Sequence, residues 1–305
     1  MSITTFDALR RQAATLGARR VAVAGADSPS ALAAMDAAVA AGLAKPILIG
    51  DPLAVRARIA SGRLERLHGA EIVSASDHAA AAGVAAELVA RRRADILLKG
   101  SVRTDQLLRA VLDARHSLRM GRLLSDVLIY EDTLGSETRL VAVTDGGINV
   151  HPDIDALRQI IGNAVHVMHA LGIERPKVAL LSATEAVTDA VPSSVIARQL
   201  AAGSVAGDPG GCDVFGPLAL DNALLESAAR AKGIDSPVAG HVDIMVAPSL
   251  DAGNILGKAV KYYGGSITAH VVVGAKVPVL IPSRVESAED KLHSIALGVL
   301  VHAAA

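Results

Sequence analysis

The sequence predicts an α/β protein in which helices cover a mostly parallel sheet. Short apolar runs alternate with helical stretches through the first third of the chain, the pattern of parallel strands joined by right-handed crossovers. The 305 residues are 51% hydrophobic but only 2% aromatic, with no Trp, so Ala, Val, Leu and Ile must build the interior. That palette suits strands buried on both faces. The length allows one large or two medium domains with a substantial core.

Taken in order, residues 5–18 read as a helix and Arg20-Val-Ala-Val-Ala-Gly25 as a strand. Asp27-Ser-Pro-Ser30 signals the start of an Ala-rich helix reaching Gly42. Lys45–Gly50 is a strand, and Asp51-Pro52 opens the next helix with proline at a tolerated first position. Glu71-Ile-Val-Ser-Ala is a strand, and a helix from Asp77 runs to Arg93. Asp95–Gly100 and the helix from Thr104 complete this series.

The rhythm breaks between about 118 and 150. Leu124–Tyr130 and Arg139–Thr144 are strands joined by a hairpin-like connection, which predicts entry into a second domain. Helix 153–171 follows, stopped by Gly172 and Pro176, and Lys177–Ser182 resumes the strand–helix pattern. Later strands fall near 212–215, 242–247 and 267–273, with a helix at 253–263. Gly203–Gly211 reads as a flexible surface loop. The expected domains are 1–118 with 272–305, and 119–271.

Composition excludes several function classes. With 30 basic and 31 acidic residues, no global basic field exists to hold nucleic acid. Arg91-Arg92-Arg93 reads as a solvated helix end. A single cysteine, Cys212, excludes an internal disulfide and a cysteine-based metal cluster, and it reads as packing in an apolar strand. Apolar runs are strand-sized or interrupted by charge, so no membrane span is expected, and the start of the chain lacks a signal pattern. A cytoplasmic protein is expected. Dinucleotide, P-loop, zinc-protease, kinase and nucleophile-elbow signatures are absent. Gly146-Gly147 and Gly210-Gly211 read as turns, and His166 and His169 as packing.

Polar residues nevertheless gather just past predicted strand ends, where ligands of open α/β sheets collect. They are Lys99 and Ser101, Asp145 and Asn149, Asp221 and Asn222, and Asn254. Each alone is more readily a helix cap than a ligand. Together they suggest a binding cleft. The densest signal is Val277-Pro-Val-Leu-Ile-Pro-Ser283-Arg284, followed closely by a helix start. A hydroxyl, a fixed cation and a carboxylate beside a helix N-terminus suit a phosphate and a proton transfer. Ser287-Ala-Glu-Asp290 equally matches a capping box, which would need nothing catalytic of Asp290.

Five ordered segments carry a resemblance. Val143–Asp153, Gly216–Asn222, Ser236–Gly240, Pro248–Asn254 and Pro282–Arg284 resemble the phosphate acetyl/butyryl transferase family. The Leu-Asp-Asn form at 220–222, with Arg158-Gln-Ile-Ile-Gly-Asn-Ala-Val and Leu171-Gly-Ile-Glu, is closer to the butyryl branch. The resemblance implies two α/β domains of the isocitrate/isopropylmalate dehydrogenase-like type around a cleft, commonly as a homodimer or higher homo-oligomer. It implies reversible transfer of a short acyl group between coenzyme A and orthophosphate, with coenzyme A as substrate and no permanently bound cofactor or metal. Acyl-CoA, phosphate and acyl phosphate would be its small-molecule partners. By position, Ser283 and Arg284 match the family's active-site pair, Asp290 the acetyl branch's proposed base, and Arg109 and Arg122 arginines associated with phosphate. One departure stands out: the butyryl branch usually reads Ser-Arg-Ala-Asp-Ser, whereas Glu286 follows Val285 here. Either carboxylate could then move the proton. Two rival readings are a metal- and NAD-dependent hydroxy-acid dehydrogenase of the same fold and a non-catalytic acyl-CoA-binding protein.

Overall fold

Alternating strands and helices run the length of the chain in a computed structural model, which describes residues 2–135, 137–203 and 211–305. Most of the loop expected at Gly203–Gly211 lies outside the described residues. In chain order the elements begin α1 (Phe6–Thr15), β1 (Arg19–Ala24), α2 (Pro29–Ala40), β2 (Ala44–Gly50), α3 (Pro52–Ser61), β3 (Glu71–Ser74), α4 (His78–Ala90), β4 (Ile96–Lys99) and α5 (Thr104–Leu112). They continue with β5 (Ser125–Asp132), β6 (Arg139–Thr144), α6 (Ile154–Ala170), β7 (Lys177–Leu181), α7 (Pro192–Gly203), β8 (Asp213–Leu218), α8 (Leu220–Leu224) and α9 (Glu226–Ala231). Last come β9 (Ile244–Val246), α10 (Leu250–Tyr262), β10 (Thr268–Val273), β11 (Val279–Leu280) and α11 (Ala288–Ala303).

Two compact units result, Asp7–Arg122 with Ala269–Ala305, and Met1–Phe6 with Leu123–Thr268. In the first, hereafter the terminal unit, strands follow the order β3-β2-β1-β4-β11-β10. Neighbours from β3 to β11 are parallel, and β10 runs antiparallel to β11. In the second, the central unit, the order is β5-β6-β9-β7-β8, with β5 antiparallel to β6 and the rest parallel. Parallel register puts the carboxyl ends of β1, β4 and β11 at one edge, and those of β6, β9, β7 and β8 likewise within the central unit.

Helix starts follow local chemistry. Asp51, Asp77, Asp153, Ser249 and Ser287 each precede a helix and accept a backbone N–H from its first turn. Such caps contribute about 1 kcal/mol each. Helix α11 is unusual in being buried without interruption from Asp290 to Val301. It packs on α2, β4 and β11. Gly298 lets it come close, since a Cβ there would sit 3.1 Å from the Leu280 side chain. In the central unit Leu128, Val141, Val143, Ala179, Val242 and Met245 share one core.

Three expectations need correction. The apolar run before Ser283 forms only the two-residue β11, because Pro278 and Pro282 bracket it and cannot donate to a ladder. Strand β8 starts at Asp213, so Cys212 precedes the strand and is only partly buried. Gly146 is more than a turn residue: a Cβ would lie 2.8 Å from the Gly253 backbone, so glycine lets the start of α10 approach β6. Arg91 and Arg93 do end a helix on the surface, pairing with Glu87 and Glu71. No helix among the described residues is long and apolar enough to cross a membrane.

Crowding at the strand ends gives the first prediction. A Cβ on Gly100 would fall 2.0 Å from the Gly25 carbonyl oxygen, backbone that cannot yield without moving β1. Gly100→Ala should therefore cost about 3 kcal/mol or more, the upper range for overpacking. Gly69→Ala, with open space around it, should stay within about 1 kcal/mol. Urea melts of both variants check this.

Candidate active site

Three loops of the terminal unit meet where β1, β4 and β11 end. The backbone fixes the first two directly: Gly100 N–H donates to Ala24 O at 2.8 Å and Ser101 N–H to Gly25 O at 2.9 Å. Gly25 takes a left-handed φ of 72°, which frees the chain to turn under this contact. The Ser101 hydroxyl sits 3.0 Å from His78 Nε2 and donates to the Asp27 carboxylate. Lys99 is buried, with Nζ donating to Thr104 Oγ1 at 3.2 Å.

The third loop is a tight turn. Glu286 N–H donates to Ser283 O at 3.2 Å, which leaves Arg284 and Val285 exposed at the tip. Arg284 Nη2 reaches back to Ser101 O at 3.5 Å, joining this turn to the β4 loop. Behind the tip the side chains are buried. Lys291 Nζ donates to Glu286 O at 2.6 Å and to Ser283 O at 3.0 Å. Glu286 lies 3.6 Å from His270 Nε2 through Oε1, while its buried Oε2 has no hydrogen-bond partner among the described residues.

Asp290 forms the capping box that its spacing predicts. Its carboxylate accepts Ser287 N–H at 3.1 Å and Ser287 Oγ at 2.6 Å, and its own N–H donates to Ser287 Oγ at 3.1 Å. Ser294 Oγ then bonds Asp290 O and accepts His270 N–H, tying the helix start to β10. Arg109 projects from α5, largely exposed and 3.5 Å from Asp105. Arg122 is exposed beyond that helix. Among the described residues neither arginine is bonded to Ser283 or Arg284.

In the central unit the predicted rim residues form two clusters. Asp145, past β6, accepts N–H groups of Gly147, Ile148 and Asn149 at 2.8, 3.0 and 3.1 Å. Asn149 Nδ2 adds a bond to Asp145 at 2.5 Å and another to Leu124 O at 2.8 Å. Asn254 Nδ2 donates to Gly146 O at 2.9 Å. Asp145 and Asn149 thus hold their own loop in shape. Burial first, then the nearby Asp126 carboxylate, push the Asp145 carboxyl above its ordinary range. The second cluster lies on α8, where Lys232 bridges Asp221 at 3.3 Å and Glu185 at 3.1 Å, and Asn222 Nδ2 donates to Glu185 at 3.3 Å.

Sequence reasoning missed Asp27, His78, His270 and Lys291. Asp27 read only as part of a helix start, and Lys291 only as a helix residue. Their partners come from other loops, so spacing carried no signal for them.

An exposed arginine and a serine lie at a parallel strand's carboxyl end beside a capped helix, a class of surface whose chemistry suits an anion. That class can be narrowed by comparison with known proteins. The phosphate acetyl/butaryl transferase family model matches residues 77–299. The chain is 40% identical over 281 residues to a probable phosphate butyryltransferase of Bacillus subtilis, covering 92% of each protein. It is 39% identical over 259 residues to a phosphate acetyltransferase of Rhizobium meliloti, covering 85% of this chain and 81% of that one. A branched-chain phosphotransacylase from Enterococcus faecalis V583 superposes with a TM-score of 0.80 at 33% identity, covering 93% of this chain and 99% of that one. The chain belongs to the phosphate acetyl/butyryl transferase family and is an acyltransferase.

The Asp145 cluster yields a pH prediction. A carboxyl whose folded pKa is raised contributes stability that is fully present below its unfolded value, and that is lost as pH rises through the folded value. For Asp145 the unfolded reference is 3.8 and the folded value lies above it. Asp145→Asn removes this ionisation, so the parent should lose stability relative to the variant as pH rises from 4 toward 7. Paired urea melts across that range would show a constant difference if the inference fails.

Proposed function

We propose that the chain catalyses acyl-CoA + phosphate = acyl phosphate + CoA, with a short acyl group such as acetyl or butyryl. The observation that carries this reading is the turn at Ser283–Glu286, which offers Arg284 at the end of β11 within a chain of this family. The finer fold assignment, isocitrate/isopropylmalate dehydrogenase-like, and a homo-oligomeric state belong to the same proposal.

The proposed chemistry needs no covalent intermediate. A phosphate oxygen attacks the thioester carbonyl carbon while its proton passes to the carboxylate, the carbon–sulfur bond breaks, and the carboxylic acid so formed protonates the departing coenzyme A thiolate. In reverse, the carboxylate takes the thiol proton before sulfur attacks the acyl phosphate. Arg284, with Arg109 and Arg122, would hold phosphate oxygens through the bidentate geometry that guanidinium groups provide. Ser283 Oγ would donate to the thiolate or the developing oxyanion. Asp290 is proposed as the acid/base group, and Glu286 is the alternative on the same turn. Lys99, Ser101, Asp145, Asn149, Asp221, Asn222 and Asn254 are proposed to shape the substrate surroundings. For Asp145 and Asn149 that role is indirect, through the loop they hold.

A single assay tests the activity: acetyl- through valeryl-CoA with orthophosphate, following thiol release without nicotinamide or added metal. No release with any chain length would overturn the proposal. Arg284→Ala should raise KM for phosphate about 10- to 100-fold, the scale of a lost charge-assisted bond at about 1.5–3 kcal/mol. Its melting temperature should barely change, because the side chain is exposed.

Asp290→Asn separates catalysis from capping. As the base, Asp290 should carry at least a hundredfold of turnover, an order of magnitude set by general-base catalysis at about 10²–10⁴. As a cap alone, its replacement should leave turnover within a few-fold of the parent, and Ser287→Ala should cost similar stability, about 1 kcal/mol. A large loss at Glu286→Gln with near-normal Asp290→Asn would transfer the acid/base role to Glu286.

A further inference from the structure

Lys291 is almost wholly buried, yet it belongs to the first turns of a helix whose apolar neighbours fill the core. Placing an ammonium out of water is unfavourable unless hydrogen bonds compensate it. Its Nζ donates to two carbonyls that bracket the exposed tip, Ser283 O at 3.0 Å and Glu286 O at 2.6 Å. The same Ser283 oxygen accepts Glu286 N–H, so the turn is held by its own backbone bond and by the lysine from below. A compact ammonium on an unbranched stem can serve both carbonyls at once, whereas a planar guanidinium is shaped for one carboxylate or phosphate. Glu286, whose carbonyl accepts from Lys291, lies through its carboxylate 3.6 Å from His270 Nε2 on β10.

We propose that Lys291 is a positioning residue for acyl transfer: its buried ammonium fixes the Ser283–Glu286 turn so that the Ser283 hydroxyl and the Arg284 guanidinium meet the reacting groups. This rests on the function proposed above and goes beyond it, since Lys291 acts through the two turn carbonyls it bonds. An error of about 1 Å at a reacting centre can cost about a hundredfold in rate, so a clamp at the base of a turn has ample leverage.

The test is a double-mutant cycle on thiol release from the preferred acyl-CoA with orthophosphate. Lys291→Met replaces the ammonium by an apolar chain of similar length, and Ser283→Ala removes the hydroxyl that it orients. Lys291→Met should lower kcat at least tenfold while thermal melts still show a folded protein at the assay temperature. In the Ser283→Ala background the same change should cost clearly less, because part of what the lysine orients is already gone. Combined losses equal to the product of the single losses would overturn the inference, and so would a folded Lys291→Met protein with parental kcat. Should methionine unfold the chain, Lys291→Gln, which keeps a donor without charge, is read in the same cycle with the same criteria. A parent that releases no thiol with any acyl-CoA fails the proposed function and this inference with it, whereas an active parent with an additive cycle fails the inference alone.

Discussion

Backbone meeting backbone at the carboxyl ends of parallel strands constrains both units. Where β1 and β4 end, the Gly25 carbonyl lies so close to Gly100 that any side chain at 100 would occupy the oxygen's place. Where β6 ends, Gly146 and Gly253 meet so closely that a Cβ on Gly253 would be 2.5 Å from Asp145 O. These approaches bring polar N–H groups and short side chains to the sheet edge. Interiors pack at crystal-like density, so such contacts are geometric requirements rather than preferences. Ser101 inherits its place from Gly100, and Asn254 from Gly253.

Electrostatics then acts on a scaffold already fixed by sterics. The loop after β6 surrounds the Asp145 carboxylate with three backbone N–H groups and an amide. Even so, burial and Asp126 outweigh those bonds and disfavour its charge. Asp113 is the converse case: partly exposed and forked by Arg115, its carboxyl is held down at about 2. The difference is solvent, since hydrogen bonds to an anion prevail only where burial does not oppose them.

Much of this architecture was legible because it is local. The strand read at Arg20–Gly25 forms as Arg19–Ala24, and the helix read from Thr104 runs to Leu112. The cap at Ser287 and the reciprocal bond from Asp290 follow from spacing alone. What stayed hidden depends on distance along the chain. Asp27 and Ser101 are 74 residues apart, and no short-range pattern could pair them. Helices α7, α8 and α9 were given no bounds from sequence, and two of them are short elements of five and six residues whose existence depends on packing. Lys291 escaped notice because a lysine on a helix ordinarily points to water.

The turn at Ser283 draws its orientation from the last helix of the chain. Asp290, Lys291 and Ser294 are consecutive holds on the first turns of α11, reaching the N-cap, the turn carbonyls and β10. Further along, Gly298 seats the helix against Leu280 on β11 and Ile96 on β4, two strands whose ends carry the turn and the Ser101 loop. Apolar burial along α11 thus fixes the height of the helix on the sheet, and its polar first turns convert that height into the position of Ser283. A helix shifted by one residue would move by about 1.5 Å. Under the proposed function that displacement exceeds the roughly 1 Å at which misplacement already costs rate, so the packing of the helix and the placing of the Ser283 hydroxyl form one geometric problem.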